Sequence, residues 1–267
     1  MAPGEELRAR SDLARRTALT ARGEPTGRAA ARWSPSRLSR VAERAERFPP
    51  LYRLLRAACA PLLRSLWGMR VHGLEHVPGS GPVILAANHH NYLDGVLLGA
   101  AVGRPISFLV MPRVFHASPF HPAFHRHIGS IPINLERPDP GAIKRALRAL
   151  EEGRVVGIFP EGPFSQEGRL VSGQPGVALI ALRSGVPVVP AAIRGTYEAL
   201  VGRRLHLPRR SRVSVQFGVP MQFQGSRRWR VTHAEREEIT RRIMAAIAGL
   251  LPREPDGPRA RGGAEAS

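Results

Sequence analysis

Between residues 49 and 252 the apolar positions fall into short runs separated by glycine, proline and polar turns. "PVILAAN" (82–88) is a continuous apolar run of strand length, as expected for a strand buried on both faces. "ISFLV" (106–110), "RVVGIFP" (154–160), "VPVVPAAI" (186–193) and "RVSVQFG" (212–218) read the same way. Helical segments are predicted over 92–102, 139–153, 176–185 and 233–250. In "DPGAIKRALRALEEG" (139–153), Asp139 caps, Pro140 takes the first helical position and Gly153 ends the helix. Ala142, Ile143, Ala146, Leu147 and Leu150 line its apolar face. "LYRLLRAACAPLLRSLW" (51–67) is apolar but interrupted by Arg53, Arg56 and Arg64, which predicts a helix with a bend near Pro61. Strands and helices alternating at this spacing predict an α/β fold: one domain over 49–252, with a largely parallel mixed sheet flanked by helices. In such sheets, sites form in loops beyond the carboxyl ends of strands. The loops after "VILAAN" and "VVGIFP" are therefore the ones to inspect.

The flanks differ in kind. Residues 1–48 are rich in Arg, Ala, Gly, Pro and Glu without sustained periodicity, and predict a flexible extension. Residues 253–267 have the composition of a disordered tail. The chain carries 40 basic against 21 acidic residues and a pI near 11.7, a field that attracts polyanions. Every basic residue except Lys144 is arginine. Cys59 is the single cysteine, which excludes an intramolecular disulfide and a Cys-rich zinc site. No apolar run reaches 18 residues, and the first fifty lack the apolar core of a secretory signal, so a cytosolic location is the expectation. The arginines are scattered and no zinc knuckle, RRM-type motif or helix-turn-helix pattern emerges, so nucleic-acid binding, the rival that charge alone raises, is not expected. No "GxxxxGK[ST]" loop supports nucleotide hydrolysis. His121 and His125 have the spacing of a metal-binding pair, but Pro119 and Pro122 disturb a regular helix there, and no metal is expected.

Chemistry concentrates in "AANHHNYLDG" (86–95). Asp94 is the only acidic residue between His76 and Leu135. A carboxylate beside an imidazole fixes its tautomer and stabilises the imidazolium formed when the ring takes a proton. The alternative is helix capping, with Asn91 at the N-cap and Asp94 three residues on. The two roles are compatible. Spacing alone leaves His89 and His90 both open as partners of Asp94. In "FPEGPFSQEGRL" (159–170), a strand running into Pro-Glu-Gly predicts a rigid turn with backbone amides near Gly162 available to an anion or an acceptor hydroxyl. A plain turn with a solvated Glu161 is the alternative.

"NHHNYLD" followed by "FPEG" resembles the signature of the glycerolipid acyltransferases, the family of the 1-acylglycerol-3-phosphate acyltransferases. Asn88, His89 and Asp94 match its first motif, and Glu161 and Gly162 its Glu-Gly motif. "VPVVPAAIRG" (186–195) resembles its Val-Pro-rich strand, and "GSIPINLER" (129–137) more loosely its second motif. Two departures stand out. Pro163 and Phe164 occupy the place of the family's Thr-Arg, and Arg137 is displaced by two residues from the motif arginine.

The resemblance implies a glycerol-phosphate-acyltransferase-like fold and an enzyme that moves an acyl group from acyl-CoA or acyl carrier protein to a lysophospholipid hydroxyl. It makes His89 the general base and Asp94 its orienting partner. Asn88, Glu161, Gly162, Arg137 and Lys144 are the implied substrate-binding residues. No cofactor or metal is implied. The histidine-rich stretch 115–128 then reads as packed structure or an acyl-chain wall. Helix 51–67 is expected either to lie in an anionic membrane surface at the cytoplasmic face or to pack on the core. Arg203, Arg204, Arg209, Arg210, Arg212, Arg227, Arg228 and Arg230, with Trp229 among them, are the expected headgroup contacts.

Overall fold

The structure, a computed structural model, describes residues 50–165, 168–201, 207–208, 211–223 and 231–251. The extension 1–48, the tail 253–267 and most of the arginine cluster between 203 and 230 lie outside the described residues.

The elements follow the alternation read from the chain. Helix α1 spans Pro50–Trp67 and is followed by strands β1 (Arg70–His72) and β2 (Val83–Ala87). Helix α2 (Leu93–Ala101) leads to β3 (Ile106–Val110), and two short helices, α3 (Pro112–Phe115) and α4 (His121–His127), lead to β4 (Ile131–Pro132). Then come α5 (Pro140–Glu151), β5 (Val155–Ile158), α6 (Gly176–Ser184), β6 (Val188–Arg194) and α7 (Thr196–Ala199). Strands β7 (Leu200–Val201) and β8 (Leu207–Pro208) pair with each other, and β9 (Ser214–Phe217) and α8 (His233–Leu250) complete the domain.

Seven strands form one sheet in the order β1-β9-β6-β2-β5-β3-β4. Every pair in it is parallel except β6 with β9. β2 lies at the centre, and all five of its residues are buried, as its unbroken apolar run requires. One face of the sheet presents Val83, Leu85, Ala87, Val189, Ala191 and Ile193 to a core shared with Leu63 of α1 and Leu97 and Leu98 of α2. Helices α5, α6 and α8 pack together and against β5 and β6. Local chemistry fixes their ends. The Asp139 side chain accepts from the Ala142 amide, and Thr232 with Glu235 forms a reciprocal capping box at the start of α8.

At the amino-terminal edge of the sheet, Arg104 donates to the carbonyls of Pro78, Gly81 and Gly153, tying together the loops that lead into β2 and β5. The opposite edge is free for chemistry. Because β2, β5 and β6 are adjacent and parallel, the segments after Ala87, Ile158 and Arg194 emerge side by side there.

Candidate active site

Asn88 follows β2 and is fully buried. Its amide nitrogen donates to Ile193 O (2.9 Å) and its oxygen accepts from Ile193 N (2.7 Å), so the side chain adds one more rung between β2 and β6. Asn88, expected among the substrate-binding residues, is placed here as a backbone brace. Both polar atoms are engaged with backbone, and the residue aims its successor instead.

That successor is His89. Its Nδ1 lies 2.9 Å from Asp94 Oδ2, and both residues are buried. The same Oδ2 accepts from the backbone amides of His90 (2.6 Å) and Asn91 (2.8 Å), while Asn91 Oδ1 accepts from Leu93 N. Capping and orienting are thus one arrangement: Asp94 binds the loop that starts α2 and holds the ring at once. An oxygen that accepts from two amides meets Nδ1 as a third donor. The Nδ1 proton therefore faces Asp94, and Nε2 keeps its lone pair. The imidazole stacks on Phe159 (ring centroids 3.7 Å apart, planes 6° apart) and meets Phe164 edge-on at 4.4 Å. Phe164 in turn meets Tyr92 edge-on at 4.7 Å.

His90 is differently placed. Its ring nitrogens lie 3.3 Å from Thr196 Oγ1 and 3.5 Å from Asn88 Nδ2, and burial holds its pKa below the ordinary value against the pull of Asp94. It does not line the cavity beside the site, whereas His89 does.

Glu161 is 3% exposed and turned inward. Its Oε1 accepts from His89 N (2.7 Å) and its Oε2 from Val171 N (2.9 Å). Burial raises its pKa above the ordinary value, and these two amides oppose the rise by favouring the carboxylate. Each oxygen of Glu161, expected to meet acceptor hydroxyls, is engaged by one backbone amide in this arrangement. The Gly162 amide is also engaged, donating to Phe159 O (3.0 Å) to close the turn, so it is not presented to an anion. The glycine itself borders the cavity, at a φ of +82° that favours its lack of a side chain. Ser165 N donates to His89 O (2.9 Å), so the second loop grips the first at two points.

The cavity beside His89 has a volume of about 480 Å³ and mostly apolar walls, including Val96, Phe108, Val110, Ile133 and Val177. Tyr92, Gly95, Val96, Gly99 and Ala100 line it from one face of α2. An added Cβ at Gly95 would meet nothing within 4 Å, and one at Gly99 only the Tyr52 hydroxyl at 3.4 Å. Small residues at this helical spacing leave room for a chain-like ligand. Hydrophobic periodicity did not flag them because they are glycines.

The Acyltransferase family model matches residues 68–194, which contain Asn88, His89, Asp94 and Glu161. Residues 68–194 resemble an acyltransferase domain. A 1-acyl-sn-glycerol-3-phosphate acyltransferase of Bacillus subtilis is 29% identical over 146 residues, 54% of this chain and 72% of that protein. A chloroplastic enzyme of the same name from Arabidopsis thaliana is 33% identical over 133 residues, 48% of this chain but 36% of that protein. The alignment thus spans most of the bacterial relative and about a third of the plant one. The crystal structure of the 1-acyl-sn-glycerophosphate acyltransferase of Thermotoga maritima has the same fold. It superposes with a TM-score of 0.60 at 22% identity, over 74% of this chain and 77% of that one.

The remaining expected site residues lie off the cavity wall. Arg137 is exposed in the loop between β4 and α5, and Lys144 is exposed on α5. Arg145, beside Lys144, donates to Pro132 O and faces Asp139 at 3.8 Å. His121 and His125 each pair with a serine hydroxyl, Ser118 and Ser130. Among the described residues no group of three or more His, Cys, Asp or Glu side chains is arranged to hold a metal ion.

Proposed function

We propose that the protein transfers a fatty acyl group from an acyl-CoA or acyl carrier protein thioester to the free hydroxyl of a lysophospholipid, with 1-acylglycerol-3-phosphate as the acceptor, at the cytoplasmic face of a membrane. The observation that carries the reading is an imidazole with Nδ1 fixed by a buried carboxylate and Nε2 left to an apolar cavity. Nε2 takes the hydroxyl proton as the oxygen attacks the thioester carbonyl. The tetrahedral intermediate then collapses, the C–S bond breaks, and the thiolate leaves with the proton returned from the imidazolium. Asp94 holds the ring and stabilises its charge between these steps. Phe159 stacks on the ring face, where a π system also favours a cation. The cavity volume falls within the range of roughly 300–1,000 Å³ usual for ligand sites, and its walls suit a hydrocarbon chain. The resemblance to an acyltransferase domain and the names of the relatives support the same class of acceptor.

One observation favours a second acceptor class. Phe164 packs against both His89 and Tyr92 where the family has an arginine, so this position offers a phosphate no cation. A lysolipid without a glycerol phosphate fits that surface. Mass analysis of products from palmitoyl-CoA offered with 1-acylglycerol-3-phosphate and with phosphate-free lysolipids separates the two. The first reading expects phosphatidic acid as the main product. A main product lacking phosphate, with phosphate preference gained in Phe164→Arg, replaces it with the second.

Helix α1 supplies the membrane contact in this reading. Leu63 packs into the core, and Tyr52 donates to Gly99 O or Arg104 O, while Leu54, Leu62 and Leu66 stay exposed beside Arg53 and Arg64. A helix with an apolar outer surface and arginines suits an anionic lipid interface. No described helix is long and apolar enough to cross a membrane.

A further inference from the structure

Helices α3 and α4 form a short hairpin whose connecting turn carries Phe120, which is 82% exposed. The turn is held in place. Phe120 N donates to Ser118 Oγ, Ser118 Oγ lies 2.7 Å from His121 Nδ1, and His121 N donates to Ser118 O. Behind it, Phe115 is buried and stacks on His125 at 5.1 Å, which fastens α3 to α4. A benzyl side chain is therefore displayed by a braced turn, and nothing else among the described residues covers it.

Its surroundings are cationic. Arg113 and Arg126 are exposed on the same hairpin, and no acidic residue occurs between Gly95 and Leu135. Helix α1 has no acidic residue either. Both elements border the cavity: Leu55 of α1 and Phe124 of α4 each line it and are each exposed, so the cavity reaches the surface beside each. Both elements thus carry outward apolar side chains set among cations. An exposed aromatic ring on a hairpin that also carries arginines matches the boundary between anionic headgroups and acyl chains.

We propose that the α3–α4 hairpin is a second lipid-binding element, which seats Phe120 in an anionic leaflet and, together with α1, sets the cavity opening against the bilayer. The proposal rests on the membrane-surface reading of α1 and adds a contact from a different part of the chain. Two attachments, each beside the opening, fix the orientation of the domain, which a single helix lying in the surface does not. A lipid acceptor then enters from the leaflet without crossing water.

Co-sedimentation with phosphatidylcholine vesicles, with and without phosphatidylglycerol, tests this on the full chain. Wild type is expected to bind the anionic vesicles. Phe120→Ser is expected to bind them about tenfold more weakly, and Phe120→Trp to bind them as wild type does. Because residue 120 is exposed, the melting temperature and the turnover of a monomeric short-chain acceptor should not change in Phe120→Ser, while turnover of a vesicle-borne acceptor falls. Equal binding by wild type and Phe120→Ser, with Leu62→Ser weakened, overturns the hairpin contact and leaves α1 as the attachment. Failure of wild type to bind anionic vesicles overturns both membrane contacts, and acyl transfer in detergent would show that the catalytic reading survives.

Discussion

Glu161 braces the segment that carries the proposed base. Its two oxygens accept from the amides of His89 and Val171, which belong to segments 72 and 10 residues away. An amide side chain has one acceptor oxygen, so Glu161→Gln leaves one of those buried N–H groups facing an NH₂ donor. We expect that variant to lose roughly 1–3 kcal/mol of stability and to lower kcat more than it raises KM, because the His89 backbone shifts while the cavity stays intact. Thermal unfolding and steady-state kinetics check it, and an unchanged kcat would return Glu161 to a purely structural role. This bracing was not legible in the sequence, since its partners are backbone groups with no residue signature. The Asp94–His89 pair was legible as chemistry because Asp94 has no acidic neighbour for many residues on either side. Spacing left His89 and His90 both open and the family resemblance pointed to His89; the structure sets the His89 ring, not that of His90, between Asp94 and the cavity.

At the scale of elements, the long segments were readable and the short ones were not. Five consecutive buried residues in β2, and the capped amphipathic face of α5, carry their own signals. β1, β4, β7 and β8 are two or three residues long, and α3 and α4 hold prolines at their first turns, so neither period has length to develop. Strand order was also hidden, because pairing between parallel strands leaves no local mark. Gly157 in β5 marks one such contact: a Cβ there would lie 2.5 Å from the Phe108 ring of neighbouring β3 and 2.7 Å from Ile106. Gly157→Ala is expected to cost about 1–3 kcal/mol through forced displacement of that ring. Phe108 meets Phe159 at 5.9 Å, and Phe159 supports the His89 ring, so turnover should fall as well. A stable, fully active Gly157→Ala enzyme would show that the Phe108–Phe159–His89 stack is not tightly coupled.

For the whole molecule, three parallel strands ending at one edge gather residues that the chain separates by about seventy and a hundred positions, Asn88 and His89 with Glu161 and Thr196. The excess of positive charge is compatible with an anionic leaflet, an anionic acyl carrier and an anionic acceptor, and so did not choose among them; the cavity narrows the ligand to something largely apolar. We propose that His89, held by Asp94, is the base that takes the acceptor's proton. Thiol release from palmitoyl-CoA with 1-acylglycerol-3-phosphate in detergent, compared among wild type, His89→Ala and His90→Ala of matched melting temperature, tests it most directly. Acceptor-dependent release is expected to fall by roughly 10²–10⁴-fold in His89→Ala and much less in His90→Ala. Release that survives in folded His89→Ala would contradict the proposal.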